Sequence, residues 1–164
     1  MTGTITIRPA REHEVPLVLQ FVRELAEYER LEHEVTATEE SFRRALFGPR
    51  PYAEVVFACV DDEPVGFALF FHNFSTFLGK PGIYLEDLFV RPAFRRRGIG
   101  QRLLAWLARE AVARGCGRLE WAVLDWNAPS IRFYESLGAR RLQEWLTFRL
   151  TGEALVRLAS LTSS

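Results

Sequence analysis

Apolar positions recur along the chain with two different periods. Thr4–Arg8 alternates apolar and polar residues in strand fashion and stops at Pro9. From Glu14 to Tyr28 the spacing changes: Val15, Val18, Leu19, Val22, Leu25 and Ala26 fall on one helical face, with Pro16 tolerable in the first turn. Thr38, followed by Glu40 and Ser41, starts a second, shorter helix that runs to Phe47 and is closed by Gly48-Pro49. Two strand-like runs follow, Ala53–Val60 and Pro64–His72, joined by the acidic turn Asp61-Asp62-Glu63. That arrangement predicts an antiparallel hairpin. Asn73–Gly82 reads as a loop broken by Gly79 and Pro81-Gly82, and Ile83–Val90 as a third run. A long amphipathic helix is predicted from about Gly98 to Arg114, with Leu103, Leu104, Leu107 and Ala111 inward and Gly115 as its stop. Arg118–Leu124 is expected as a strand, Ala128–Leu137 as a helix ended by Gly138, and Trp145–Leu150 as a final strand.

These elements predict an α+β fold. The sheet is mixed but mostly antiparallel, helices lie on both faces, and one parallel crossover surrounds the long helix. There are no repeats or low-complexity tracts, so residues 1–164 are expected to form a single domain. A hydrophobic share of 48% with 26% charged residues is globular composition. The 21 basic residues cancel the 21 acidic ones, so no global field draws the chain toward nucleic acid or acidic membranes. Apart from Lys80, every basic residue is arginine, a side chain that forks onto phosphates and carboxylates. Cys59 and Cys116 are isolated, and His13, His33 and His72 lack ligand spacing, so no metal is expected. The N-terminus lacks a signal-peptide layout and no apolar run approaches the ~20 residues of a membrane helix. A cytoplasmic protein is the expectation.

The segment Arg95-Arg96-Arg97-Gly98-Ile99-Gly100 lies between a predicted strand and a predicted helix. Glycines let the backbone approach a ligand, the helix start presents unpaired amides to an anion, and arginines pair with phosphate. A pyrophosphate cradle follows from that physics, with a solvated Arg-rich turn as the alternative. A dinucleotide fingerprint fails because Leu103 stands at the third glycine position, and no Gly-Lys-Ser/Thr is present for a Walker A loop.

The run Arg-x-x-Gly-x-Gly, after a strand ending Asp87-Leu88-Phe89-Val90-Arg91-Pro92, resembles the acyl-CoA motif of the GCN5-related N-acetyltransferases (GNAT). The stretch from Asn127-Ala128-Pro129-Ser130 through Phe133-Tyr134 to Gly138-Ala139 is similar to that family's second landmark. Within the family, Tyr84-Leu85-Glu86-Asp87, Trp126-Asn127 and Leu25-Ala26-Glu27-Tyr28-Glu29 resemble diamine (spermidine/spermine) acetyltransferases and their thialysine-acetylating relatives. The resemblance spans about Ile5 to Leu150. It implies the GNAT fold, acetyl-CoA as donor, a small amine as acceptor and a homodimer.

Acetyl transfer to an amine needs a base, because an aliphatic ammonium has a pKa of about 10.4 and no lone pair. It also needs donors for the carbonyl oxygen and an acid for the departing thiolate. Strand alternation puts Tyr84, Glu86 and Leu88 on one face and Leu85, Asp87 and Phe89 on the other, so one carboxylate of the Glu86/Asp87 pair faces the cleft. The resemblance favours Glu86 as base, acting through water; a structural salt bridge is the other reading. Tyr134 is the candidate acid, since a phenol is protonated at neutral pH, with a packed core aromatic as the alternative.

By resemblance, backbone groups of Leu88, Phe89 and Val90 pair with the pantetheine arm. Amides of Arg96, Arg97, Gly98, Ile99 and Gly100, with the Arg95 side chain, are implied to hold the pyrophosphate. Asn127 and Ser130 are implied near the cofactor or serve as an ordinary helix cap. Tyr28 and Glu29 are implied at the acceptor, or are an exposed acidic helix end. Arg91, Arg95, Arg96, Arg97 and Arg102 are expected to crowd the phosphate site, and Glu27, Glu29, Glu32 and Glu34 the amine site. Two other functions share the cofactor half: acetylation of a protein N-terminus or lysine, and a non-catalytic acyl-CoA sensor.

Overall fold

A computed structural model describes residues 3–161. The chain divides into two compact units at Leu124/Asp125.

The first unit is a five-stranded sheet in chain order, formed by β1 (Ile5–Pro9), β2 (Glu54–Val60), β3 (Glu63–Ser75), β4 (Lys80–Val90) and β5 (Leu119–Trp121). The first three pairings are antiparallel and β4–β5 is parallel, so the predicted crossover stands. Helix α1 (Val15–Tyr28) and helix α2 (Glu39–Phe47) precede β2, and α3 (Ile99–Ala113) links β4 to β5. Local chemistry sets the boundaries. Thr38 and Ser41 cap α2 reciprocally: the Ser41 amide donates to Thr38 Oγ1 at 3.1 Å and the Thr38 amide to Ser41 Oγ at 3.0 Å. The β2–β3 turn holds Asp61 and Asp62 at φ +49° and +70°, the left-handed pair that a two-residue hairpin requires.

Alternation along the strands feeds two layers. Val55, Phe57 and Cys59 of β2, Phe67 and Leu69 of β3 and Phe89 of β4 pack against Val18, Phe21 and Leu25 of α1 and Leu46 of α2. Phe21, Phe57 and Phe67 are fully buried, with Phe21 and Phe67 stacked at 5.4 Å. Each such ring contributes roughly 1.5–3 kcal/mol by burial. Residues of opposite parity face α3, where Phe70 meets Trp106 edge-on at 6.0 Å.

Three expectations change. Asn73–Gly82 is not a loop: β3 and β4 pair down to Ser75 and Lys80, leaving only residues 76–79 as the turn. Pro81 is accommodated by using its carbonyl, which accepts the Gly117 amide at 2.9 Å. At Gly82 a Cβ would crowd the Asn73 side-chain oxygen and stand 3.3 Å from the Arg118 carbonyl oxygen. The strand expected over Arg118–Leu124 shortens to Leu119–Trp121, three residues paired with Ile83–Leu85.

The second unit holds α4 (Ala128–Ser136) and α5 (Gly152–Ala159). Gly138 follows α4 at φ +95°, the left-handed stop expected of it. The strand expected at Trp145–Leu150 is absent: the segment joins no ladder among the described residues. Alternation alone does not make a strand, which needs an edge to pair with. Trp145, Leu146, Phe148 and Leu150 are correspondingly exposed. Helix α5 lies beyond the last element expected from the sequence.

Candidate active site

Of the candidate residues, Glu86, Leu88, Phe89 and Val90 lie where β4 leaves β5. Pairing between these strands ends at Leu85 and Trp121, so on that side β4 has no strand partner from Glu86 to Val90 among the described residues. This open edge carries Leu88, Phe89 and Val90, the backbone expected to receive an extended ligand. On its other side β4 is held by β3 through Gly66, where a Cβ would stand 2.7 Å from the Phe89 carbonyl oxygen.

A β-bulge sits at the point of departure. Asp87 pairs with Leu69 and Leu85 with Phe70, leaving Glu86 as the extra residue. The simple alternation expected for this strand is therefore broken. Leu85 keeps the parity of Phe70, which faces α3, whereas Asp87 keeps that of Leu69, which faces α1. Glu86 is exposed, and Asp87 is half-buried beside it.

A third acid, Glu29 at the end of α1, is coupled to both: Glu86 acts on Glu29, and Glu86 and Glu29 act on Asp87. Burial, then Glu86, then Glu29 push the Asp87 carboxyl up to about 7. Glu29 is raised by burial and by Glu86. The Tyr84 phenol is raised by burial and by the charges of Glu86 and Glu120. A cation entering this cluster is attracted by three carboxylates, one of which ionises near neutral pH.

The linkage has a definite sign. Native Asp87 holds its proton more tightly than the unfolded chain does, so stability is full below about pH 3.8, falls as pH rises and levels off above about 7. The full change is on the order of 4 kcal/mol. Asp87→Asn is expected to raise Tm at pH 8.5 and to change it little at pH 4. Thermal unfolding at the two pH values checks this, and an equal shift at both would contradict it.

The segment expected to bind an anion includes Gly98, the N-cap of α3, in the left-handed region at φ +75°. Any residue with a Cβ would be strained there by roughly 1–2 kcal/mol. No side chain caps this helix, and an added Cβ at Gly98 or Gly100 would meet nothing within 4 Å. Space is thus open beside the backbone at Gly98 and Gly100, and a helix start of this kind suits an anion such as a pyrophosphate.

The arginines do not all crowd that helix start. Arg91 forms a two-point pair with Glu24, Nε to Oε1 and Nη2 to Oε2 both at 3.1 Å, and its guanidinium lies 4.6 Å from the Phe21 ring centre. It ties α1 to the end of β4. Arg102 donates to the Ile5 carbonyl at 3.3 Å. The Arg97 guanidinium lies over Phe94 at 5.2 Å. Arg95 donates from Nε to the Val90 carbonyl at 2.8 Å. Arg96 takes φ +63° immediately before the glycine run.

In the second unit, Asn127 is the N-cap of α4 and its side chain accepts the Ser130 amide at 3.4 Å, so the expected capping role of this pair is present. Tyr134 lies in the last turns of α4 with its ring 5.6 Å from that of Phe133, tilted by 47°.

A separate cavity of about 480 Å³ opens among Phe47, Tyr52, Glu54, His72, Trp106 and Arg114. None of the candidate residues lines it. Arg114 there donates to both Glu54 carboxylate oxygens at 2.7 and 2.9 Å and to Glu110 at 3.1 Å. Its charges are engaged in holding α3 to β2.

The chain is similar to known proteins in sequence and in fold. The Acetyltransferase (GNAT) family model matches residues 19–139. The thialysine N-epsilon-acetyltransferase of Mus musculus is 38% identical over 164 aligned residues, covering 93% of this chain and 96% of that protein. L-ornithine N5-acetyltransferase NATA1 of Arabidopsis thaliana is 34% identical, covering 91% of this chain and 85% of that protein. Among solved structures, an integron cassette protein from the mobile metagenome of V. cholerae superposes with a TM-score of 0.80 at 29% identity, covering 98% of this chain and all of that one.

Proposed function

Because the chain belongs to the GNAT family and is an N-acetyltransferase, with acetyl-CoA the co-substrate of that family, we propose that its acceptor is a small primary amine of the lysine-analogue, diamine or polyamine class. The observation that carries this reading is the cluster of Glu29, Glu86 and Asp87 at the bulge where β4 leaves β5. A cationic acceptor fits that charge. The named activities of the mouse and Arabidopsis relatives, on thialysine and on ornithine, support it.

In this reading Glu86, exposed at the bulge, removes the proton of the ammonium directly or through a water. The amine nitrogen then attacks the thioester carbonyl, the C–N bond forms and the C–S bond breaks. The departing thiolate takes its proton from the Tyr134 hydroxyl, and the phenolate so formed recovers one, directly or through water, from the acetylated nitrogen. Backbone groups of Leu88, Phe89 and Val90 receive the pantetheine arm along the open edge. Amides of Arg96, Arg97, Gly98, Ile99 and Gly100 take the pyrophosphate, with Asn127 and Ser130 also on the cofactor side. Tyr28 and Glu29 meet the acceptor.

The family match runs across both units, which supports treating residues 1–164 as one catalytic domain. Cys59 and Cys116 are both unpaired, in keeping with a cytoplasmic setting. Among the described residues no helix is long and apolar enough to cross a membrane. Homodimerisation is part of the reading too, supported by the exposed alternating residues Leu146, Phe148 and Leu150, which find no strand partner among the described residues. Light scattering after gel filtration is expected to give twice the 18.9 kDa chain mass, and a monomer at micromolar concentration would refute this part.

Thiol release from acetyl-CoA tests the reaction class. Release is expected only when an amine is added, with thialysine, ornithine and spermidine as the first acceptors. No release with these, with arylamines or with peptide amines would sink the reading.

A further inference from the structure

By the Arg-x-x-Gly-x-Gly pattern, the guanidinium of Arg95 belongs with the phosphates. Its contacts lie elsewhere. Nε donates to the carbonyl of Val90, the last residue of β4, at 2.8 Å. The guanidinium carbon lies 4.8 Å from the centre of the Tyr28 ring and 5.4 Å from that of Phe89. Tyr28 is the last residue of α1, and Glu29 is that helix's C-cap. The backbone explains the direction: Arg95 is extended, and Arg96 then turns through φ +63° into the glycine run. The chain from Arg96 onward leads into α3, while the Arg95 side chain reaches back to β4 and α1.

From this we infer that Arg95 is a positioning residue for the acceptor side, bracing the Tyr28 ring and the adjoining Glu29 against the open end of β4. The inference rests on the amine-acceptor reading above. Two features of arginine suit it to the task. Its planar face stacks on aromatic rings, which a lysine ammonium does not reproduce. Its Nε can at the same time donate in the guanidinium plane, here to Val90. One side chain thereby links the strand end expected to receive the acyl donor with the helix end expected to receive the amine. A phosphate ligand would have no such preference for the acceptor.

Steady-state kinetics on Arg95→Gln, Tyr28→Leu and the double variant separate the roles. Arg95→Gln is expected to raise KM for the amine about 5- to 10-fold, with KM for acetyl-CoA within about 2-fold of the parent and kcat nearly kept. Tyr28→Leu should do likewise, and the double variant should be no worse than the poorer single one, because both changes remove the same contact. A rise in KM for acetyl-CoA with the amine KM unchanged would return Arg95 to the phosphates and overturn the inference. Multiplying effects in the double variant would overturn it as well. If Arg95→Gln does not fold, Arg95→Lys is measured against the same two KM values. If the parent protein transfers acetyl to no amine, the proposed function falls by itself. The brace is then decided by thermal unfolding of the same four proteins, where non-additive Tm shifts uphold it and additive shifts overturn it.

Discussion

Tyr134→Phe is expected to lower kcat about 100-fold while leaving the affinity for CoA within about 2-fold of the parent. The factor is the lower end of what a positioned acid contributes and corresponds to about 2.7 kcal/mol of barrier. A thiol has a pKa of about 8.5 and a phenol about 10, so full proton transfer to a free thiolate is mildly uphill. The hydroxyl therefore helps most while the C–S bond is breaking and charge is still growing on sulfur. The substitution keeps the ring that neighbours Phe133 at 5.6 Å and leaves the Asn127 cap of α4 untouched. Loss of the hydroxyl is then separable from loss of the helix. Pre-steady-state rates with acetyl-CoA, together with calorimetric CoA binding, read the two quantities apart. A large loss of CoA affinity with kcat retained would make Tyr134 a binding residue.

Glu86→Gln is expected to cost 100- to 1000-fold in kcat/KM for the amine at pH 7.4, with a deficit that shrinks as the pH is raised. At that pH only about one aliphatic amine in a thousand is unprotonated, which bounds what a base supplies. By pH 9.5 bulk solvent supplies more of the free amine, so parent and variant should converge. The bulge matters here because it leaves Glu86 as the unpaired, exposed residue of the strand, while Asp87 stays half-buried and partly protonated near neutrality. Asp87 ionises more readily once Glu86 is neutral, since Glu86 is its second cause of elevation after burial. Its burial remains, so it is not expected to replace Glu86. pH–rate profiles from 6.5 to 9.5 test this, and a deficit constant across the range would contradict a role in proton removal.

What could be read from the chain before folding followed the range of the forces involved. The Thr38–Ser41 cap, the Asp61-Asp62 turn and the Gly98 helix start depend on neighbours in sequence, and each appears where expected. Glu86 was legible as a residue but its setting was not. The bulge that takes Asp87 off the face of Leu85 is decided by the register with Leu69 and Phe70, 17 or 18 residues away along the antiparallel pair. The β3–β4 hairpin was hidden for a similar reason: Pro81 and Gly82 read as breakers until Asn73 and Gly117 supply what they need. Arg95, Arg96 and Arg97 are equivalent as letters. Only the turn at Arg96 and the nearby rings of Tyr28, Phe89 and Phe94 assign them different directions. The segment Trp145–Leu150 has the alternation of a strand, and pairing, which no single segment encodes, is what it lacks.

One competition measures whether acetyl goes to a small amine in preference to a protein amine. Purified protein, acetyl-CoA and an equimolar mixture of thialysine, ornithine, spermidine, a lysine-containing peptide and a peptide with a free N-terminus are allowed to react to low conversion. Mass spectrometry then counts the acetylated products. Acetyl is expected on the small amines at least ten times faster than on either peptide, and Glu86→Gln is expected to lower that yield. Acetyl found chiefly on the peptides would contradict it.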